Sequence, residues 1–114
     1  MEAKAVSRYV HQSPRKIRKT LDNIRGLKVE DALNQLHFSP EKGAEVIEKT
    51  LRSAVANLIN VNPEENIEPE RLDIKDAFVN GGPVMKRFRA AAMGRVSRRH
   101  RPTSHVTIVV TDEK

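Results

Sequence analysis

The sequence has no cysteine and no tryptophan, one tyrosine and three phenylalanines. Without cysteine there is no disulfide and no thiolate, which excludes disulfide-stapled scaffolds, thiol enzymes and zinc–thiolate centres. No apolar run approaches the ~20 residues of a membrane span, and Met1-Glu2-Ala3-Lys4-Ala5-Val6 lacks a signal peptide's apolar segment, so no membrane contact is expected. The hydrophobic share, 38% of 114 residues, supports one modest core and a single domain over 1–114.

Acid is also missing where it would be expected. The 23 residues from Pro83 to His105 contain no Asp or Glu. Residues 1–28 hold eight basic and two acidic side chains, residues 29–81 five and eleven, and residues 82–111 seven and none. The formal charge of +6 is therefore segregated into two basic segments around an acidic middle. Solvated surfaces mix their signs, so this segregation points to a polyanion partner and a separate face turned to water.

Residues 2–10 read as a strand with imperfect alternation. Ser13-Pro14 is a helix start, with Ile17, Leu21 and Ile24 on one face and Gly26 as the stop. Arg15, Lys16, Arg18 and Lys19 crowd this helix near its positive end, a cost that an external anion offsets. A short helix is expected over Val29–His37. Ser39-Pro40 starts a longer one over Glu41–Val61, with Ala44, Ile47, Leu51, Ala54, Val55 and Leu58 inward. Its outer face pairs Glu45 with Lys49 and Glu48 with Arg52. Asn62–Glu70 is an exposed loop. Strand character returns over Leu72–Val79, where the apolar parity changes between Ile74 and Ala77, as at a bulge or in a strand buried on both faces. Val106, Ile108 and Val110 alternate along a final strand.

Between the last two strands, Pro83–His105 is too long for a structureless loop. A turn near Gly94 makes it a hairpin, whose arms of about eleven residues at ~3.3 Å each reach roughly 35 Å. Like charges across its strands weaken it, so the arm is expected to order against a polyanion. With Phe88 as its one aromatic, phosphate and sugar contact is favoured over base stacking. Folded RNA and bent DNA both remain open at this point.

Catalysis finds little support. His11, His37, His100 and His105 have no paired carboxylate in an identifiable pattern, and His100 and His105 lack helical ligand spacing. Gly81-Gly82 has no Lys-Ser/Thr ending and is read as a bend rather than a phosphate loop. No metal and no cofactor is expected.

SPRKIR at Ser13–Arg18, SAVAN at Ser53–Asn57, MKRFR at Met85–Arg89, Gly94-Arg95 and RPTSHVTIVV at Arg101–Val110 stand in a characteristic order and spacing. Together, from about residue 2 to 111, they resemble the bacterial large-subunit ribosomal protein L-twenty-two family. The resemblance implies an α+β fold, three helices packed on a small antiparallel sheet, with a long protruding β-hairpin over about 80–106. It implies a structural constituent of the large ribosomal subunit, not an enzyme, in the bacterial cytoplasm and monomeric within the ribosome. Such a protein binds large-subunit rRNA, helps assembly and neighbours other large-subunit proteins. Its hairpin tip lines the nascent-peptide exit tunnel, beside the nascent polypeptide and near the binding region of macrolide antibiotics.

Carried onto this chain, the resemblance places rRNA contacts at Arg8, His11, Ser13, Arg15, Lys16, Arg18 and Lys19. It places others at Lys86, Arg87, Arg89, Arg95, Arg98, Arg99, Arg101, Thr103, Ser104 and His105. The tunnel-lining tip maps to Ala90, Ala91, Ala92, Met93, Gly94 and Arg95. Family tips usually read P-R-A-R-G-R, so this one has two cations fewer and a methionine more.

Overall fold

Apolar residues at steps of three and four through the middle of the chain become the support on which everything else packs. The computed structural model describes residues 2–61, 68, 71–90 and 96–112, with 85–90 and 96–101 as backbone. Its elements are β1 (Glu2–Val10), α1 (Pro14–Leu21), α2 (Val29–His37), α3 (Lys42–Val61), β2 (Asp73–Gly81), β3 (Met85–Ala90), β4 (Val96–Arg101) and β5 (Ser104–Thr111). The α+β architecture is the expected one: three helices and a small antiparallel sheet. The expected loop over 62–70, except Glu68, and tip residues 91–95 lie outside the described residues.

The inward face of α3 closes the core. Ile47, Leu51, Ala54 and Leu58 are each 0% exposed. This helix packs across β1 and β5, with α2 and α1 against its flanks and α1 also against β2. Strand order is β1-β5-β2, all antiparallel. Because β5 is central, burial along it is not the simple alternation its residues suggest. Val106, Ile108 and Val110 are fully enclosed, and Thr107 and Thr111 are buried as well.

Two bulges shape the sheet. The parity change in β2 is a register shift against β5 between Ile74 and Asp76. The imperfect alternation of β1 is a second shift, between Ser7 and Val10.

The first helix is shorter than its periodicity implies. It ends at Leu21, and the chain tightens into turns in which Asn23 N–H donates to Thr20 C=O and Ile24 N–H to Leu21 C=O. Such three-residue bonds satisfy the last carbonyls of a helix. Ile24 still reaches the core, 0% exposed. Gly26, at φ +77°, ends this turn rather than the helix itself. Ser13 occupies the N-cap position with Pro14 behind it, but its hydroxyl makes no cap bond; the first-turn N–H of Ile17 goes to the Ser13 carbonyl. At the start of α3, the Ser39 hydroxyl accepts the Glu41 N–H at 3.3 Å.

The open edge of β2 is covered in a way no local pattern announces. Arg25 Nε donates to the Ala77 carbonyl at 2.8 Å and Arg18 to the Val79 carbonyl at 2.9 Å. A bridge of Lys28 with Asp73 covers the strand's start. Unpaired strand edges invite wrong pairing, and these contacts close this one.

Among the described residues, strands β3 and β4 pair with each other and with no strand of the main sheet. The protein measures 65 × 25 × 17 Å, with a radius of gyration of 17.3 Å. A compact chain of this length has about 13 Å, and the excess is what a hairpin extending from a small core produces.

Candidate nucleic-acid interface

The amphipathic pattern of α1 decides which way its cations face. Ile17, Thr20 and Leu21 are buried, so Arg15, Lys16, Arg18 and Lys19 are left on the exposed side. No acidic residue lies in its first turn. Lys19 comes within 4.0 Å of Glu41, a solvent-exposed pair of little energetic weight. Arg8, near the end of β1, and His11, in the turn that follows, are exposed as well.

The hairpin's register sets one pair of arginines opposite each other and a lysine opposite a histidine. Arg87 pairs with Arg99, Lys86 with His100, Met85 with Arg101 and Phe88 with Arg98. Like charges facing each other across strands destabilise a ladder, and no acid stands on either strand to relieve them.

The two basic segments meet at the hairpin's base, although the 53 residues of the acidic middle separate them in sequence. The Ser104 hydroxyl donates to the Gln12 carbonyl at 2.5 Å, just before α1. Tyr9 N–H donates to His105 Nδ1 at 3.1 Å. The structure thus brings Arg8, His11 and the cationic face of α1 to the corner from which the arm departs.

Thr103 and Ser104 are enclosed at the hairpin's base. They are 3% and 0% exposed, and their hydroxyls are engaged internally, Thr103 donating to the Pro83 carbonyl at 2.6 Å and Ser104 to Gln12. A buried hydroxyl with its proton already committed braces the hairpin base. Arg18 is shared: it is exposed, yet its guanidinium holds Val79. His37, for which the sequence pattern offered no carboxylate, lies 3.6 Å from Glu48, which also binds Arg52 at 2.9 Å. Tip residues Ala91, Ala92, Met93, Gly94 and Arg95 lie outside the described residues, and of the hairpin strands the structure supplies position and register alone.

Sequence reasoning missed Tyr9, Gln12 and Gly82 as parts of this corner. The Gly81-Gly82 pair carried a signal, since a doubled glycine marks close approach as readily as a bend. Nothing local marks Tyr9. Among the described residues, no group of three or more His, Asp and Glu is placed to hold a metal, and no helix is long and apolar enough to cross a membrane.

Three helices on a three-stranded antiparallel sheet, with an acid-free hairpin standing off it, define a small basic α+β protein built around an extension. The family model described as Ribosomal protein L22p/L17e matches residues 5–111, and the chain belongs to that family, whose members are structural components rather than enzymes. It is 46% identical over 114 residues to "Large ribosomal subunit protein uL22" of Halothermothrix orenii, covering 100% of this chain and 98% of that one. It is 45% identical over 113 residues to the protein of the same description in Geobacter metallireducens, covering 99% and 100%. The one in Syntrophotalea carbinolica is 46% identical over 113 residues, with the same coverage.

Proposed function

We propose that this chain is a structural constituent of the large ribosomal subunit, binding large-subunit rRNA through two connected cationic surfaces. The first is the outer face of α1 with Arg8, His11 and Ser13. The second is the hairpin, through Lys86, Arg87, Arg89, Arg95, Arg98, Arg99 and Arg101. His105 stands at the junction. The tip, Ala90 through Arg95, lines the nascent-peptide exit tunnel and meets the nascent polypeptide in the region where macrolides bind. The protein works in the cytoplasm as a single copy among neighbouring ribosomal proteins and contributes to subunit assembly.

One observation carries this reading: the register that places Arg87 opposite Arg99 on a hairpin that forms a two-stranded sheet of its own among the described residues. Seven cations without an acid are stable together when phosphates stand between them, and a folded RNA supplies phosphates from several directions at once. The names of the relatives support the same assembly.

Two measurements test it. The protein should remain with the large subunit through a high-salt wash in sedimentation. Competition at fixed salt should favour large-subunit rRNA over duplex DNA by orders of magnitude. Equal affinity for the two would favour a DNA-bending protein instead, and release from the subunit in the wash would count against the ribosomal reading.

A further inference from the structure

Tyr9, Gly82 and His105 meet where the hairpin leaves the sheet. Within the bulge of β1, Tyr9 takes φ +57°, the left-handed region that non-glycine residues seldom adopt. The residue is 60% exposed, so the unusual backbone does not serve the core. It does direct the Tyr9 N–H to His105 Nδ1, 3.1 Å away. The phenol ring stands edge-on to the imidazole, with 5.0 Å between centroids and 88° between planes.

The same imidazole packs against Gly82. A Cβ on Gly82 would lie 3.2 Å from His105 Cε1 and Nε2 and 2.5 Å from Thr103 Oγ1. Gly82 N–H donates to the Thr103 carbonyl at 2.8 Å, and Thr103 Oγ1 donates to the Pro83 carbonyl at 2.6 Å. The outgoing and returning strands are thereby tied to each other at their base, and His105 ties both to β1. Strained backbone of this kind persists where its surroundings over-determine it, and orientation is a use for it.

We propose that Tyr9, Gly82 and His105 form a clamp that fixes the direction in which the hairpin leaves the sheet, as positioning residues for the RNA contact. The proposal rests on reading the hairpin as an RNA-binding arm. An arm held in the binding direction for only about one tenth of the time binds about tenfold more weakly, even with every phosphate-binding side chain still in place.

The test uses the absence of cysteine. Lys49→Cys on α3 and Val84→Cys, exposed where the outgoing arm starts and ahead of its like-charged register, give two unique sites for spin labels in the full-length chain. Pulsed dipolar spectroscopy then measures the distribution of distances between them. The labelled parent chain should give a narrow distribution. His105→Ala should broaden it and weaken rRNA binding about tenfold, with the slope of log K against log salt unchanged. His105→Asn, whose amide oxygen can accept the Tyr9 N–H, should restore both. Equal widths in the parent and His105→Ala would overturn the clamp. So would a salt slope that falls by ~0.7–0.9, because His105 would then neutralise a phosphate. If His105→Ala fails to fold by circular dichroism, Gly82→Ala in the same labelled chain decides the matter on the same widths. A parent chain that prefers duplex DNA would sink the RNA reading while leaving the distances to judge the clamp.

Discussion

Arg18 reaches from α1 to the carbonyl of Val79, 2.9 Å away, and joins the first helix to the open edge of β2. One of the four cations of α1 is therefore also a fastener. Arg18→Ala should cost about 1–2 kcal/mol of stability, between an ordinary hydrogen bond and a fully enclosed one from a charged group, because Arg18 is exposed. Lys16→Ala, on the same helix and exposed, should stay within ~0.5 kcal/mol. Urea unfolding of the two variants checks the division.

Thr20 sits on the buried side of the same helix, 5% exposed, and its hydroxyl has no hydrogen-bond partner among the described residues. Thr20→Val keeps the branched shape and removes the unsatisfied oxygen. It should stabilise the protein by about 1 kcal/mol. Thermal unfolding should show a midpoint a few degrees higher, and a lower midpoint would mean that the hydroxyl has an interaction in solution.

Leu51 is fully enclosed between α3 and the sheet. Leu51→Ala should cost about 2–5 kcal/mol, because apolar surface returns to water and a cavity stays behind. Ile47→Ala should fall in the same range. Denaturant titration measures both, and a cost under ~1 kcal/mol would show a core that collapses around the missing side chain more readily than its burial indicates.

Arg99 stands opposite Arg87 on a hairpin that joins no other strand among the described residues. Arg99→Ala should leave the unfolding midpoint of the protein unchanged. It should weaken rRNA binding and lower the salt slope by about 0.7–0.9, one phosphate's worth. Arg98→Ala should behave alike. Unfolding of the core by either substitution would erase the separation between core and arm.

Much of the architecture was readable because periodicity is a local property. The helix over Val29–His37 and the strand over Glu2–Val10 have the expected bounds, and α3 begins one residue later than expected. The bulge in β2 showed as a change of parity, since a one-residue slip moves every following side chain to the other face. The end of α1 misled because Ile24 continues the apolar spacing of Ile17 and Leu21. A turn after Leu21 can bury Ile24 as well as another helical turn can, and periodicity does not distinguish the two.

The candidate site divided differently. Exposed cations on α1 followed from its amphipathic spacing. Thr103 and Ser104 came as rRNA contacts from the resemblance alone, and nothing in RPTSHV states that their hydroxyls reach Pro83 and Gln12. Their burial depends on how strands far apart in the chain close around the hairpin's base.

By itself, the sequence determined the number and faces of the helices, the separation of acid from base, and an arm with no anion of its own. Each of these is a property of residues near one another along the chain. Only the tertiary structure decided that Arg18 and Arg25 fasten a strand edge, that Thr103 and Ser104 turn inward, and that Tyr9 meets a histidine 96 residues away. The physical reason is that a hydrogen-bond partner is chosen by strand order and register, which place distant segments side by side, and no local pattern of charge or polarity encodes that neighbour.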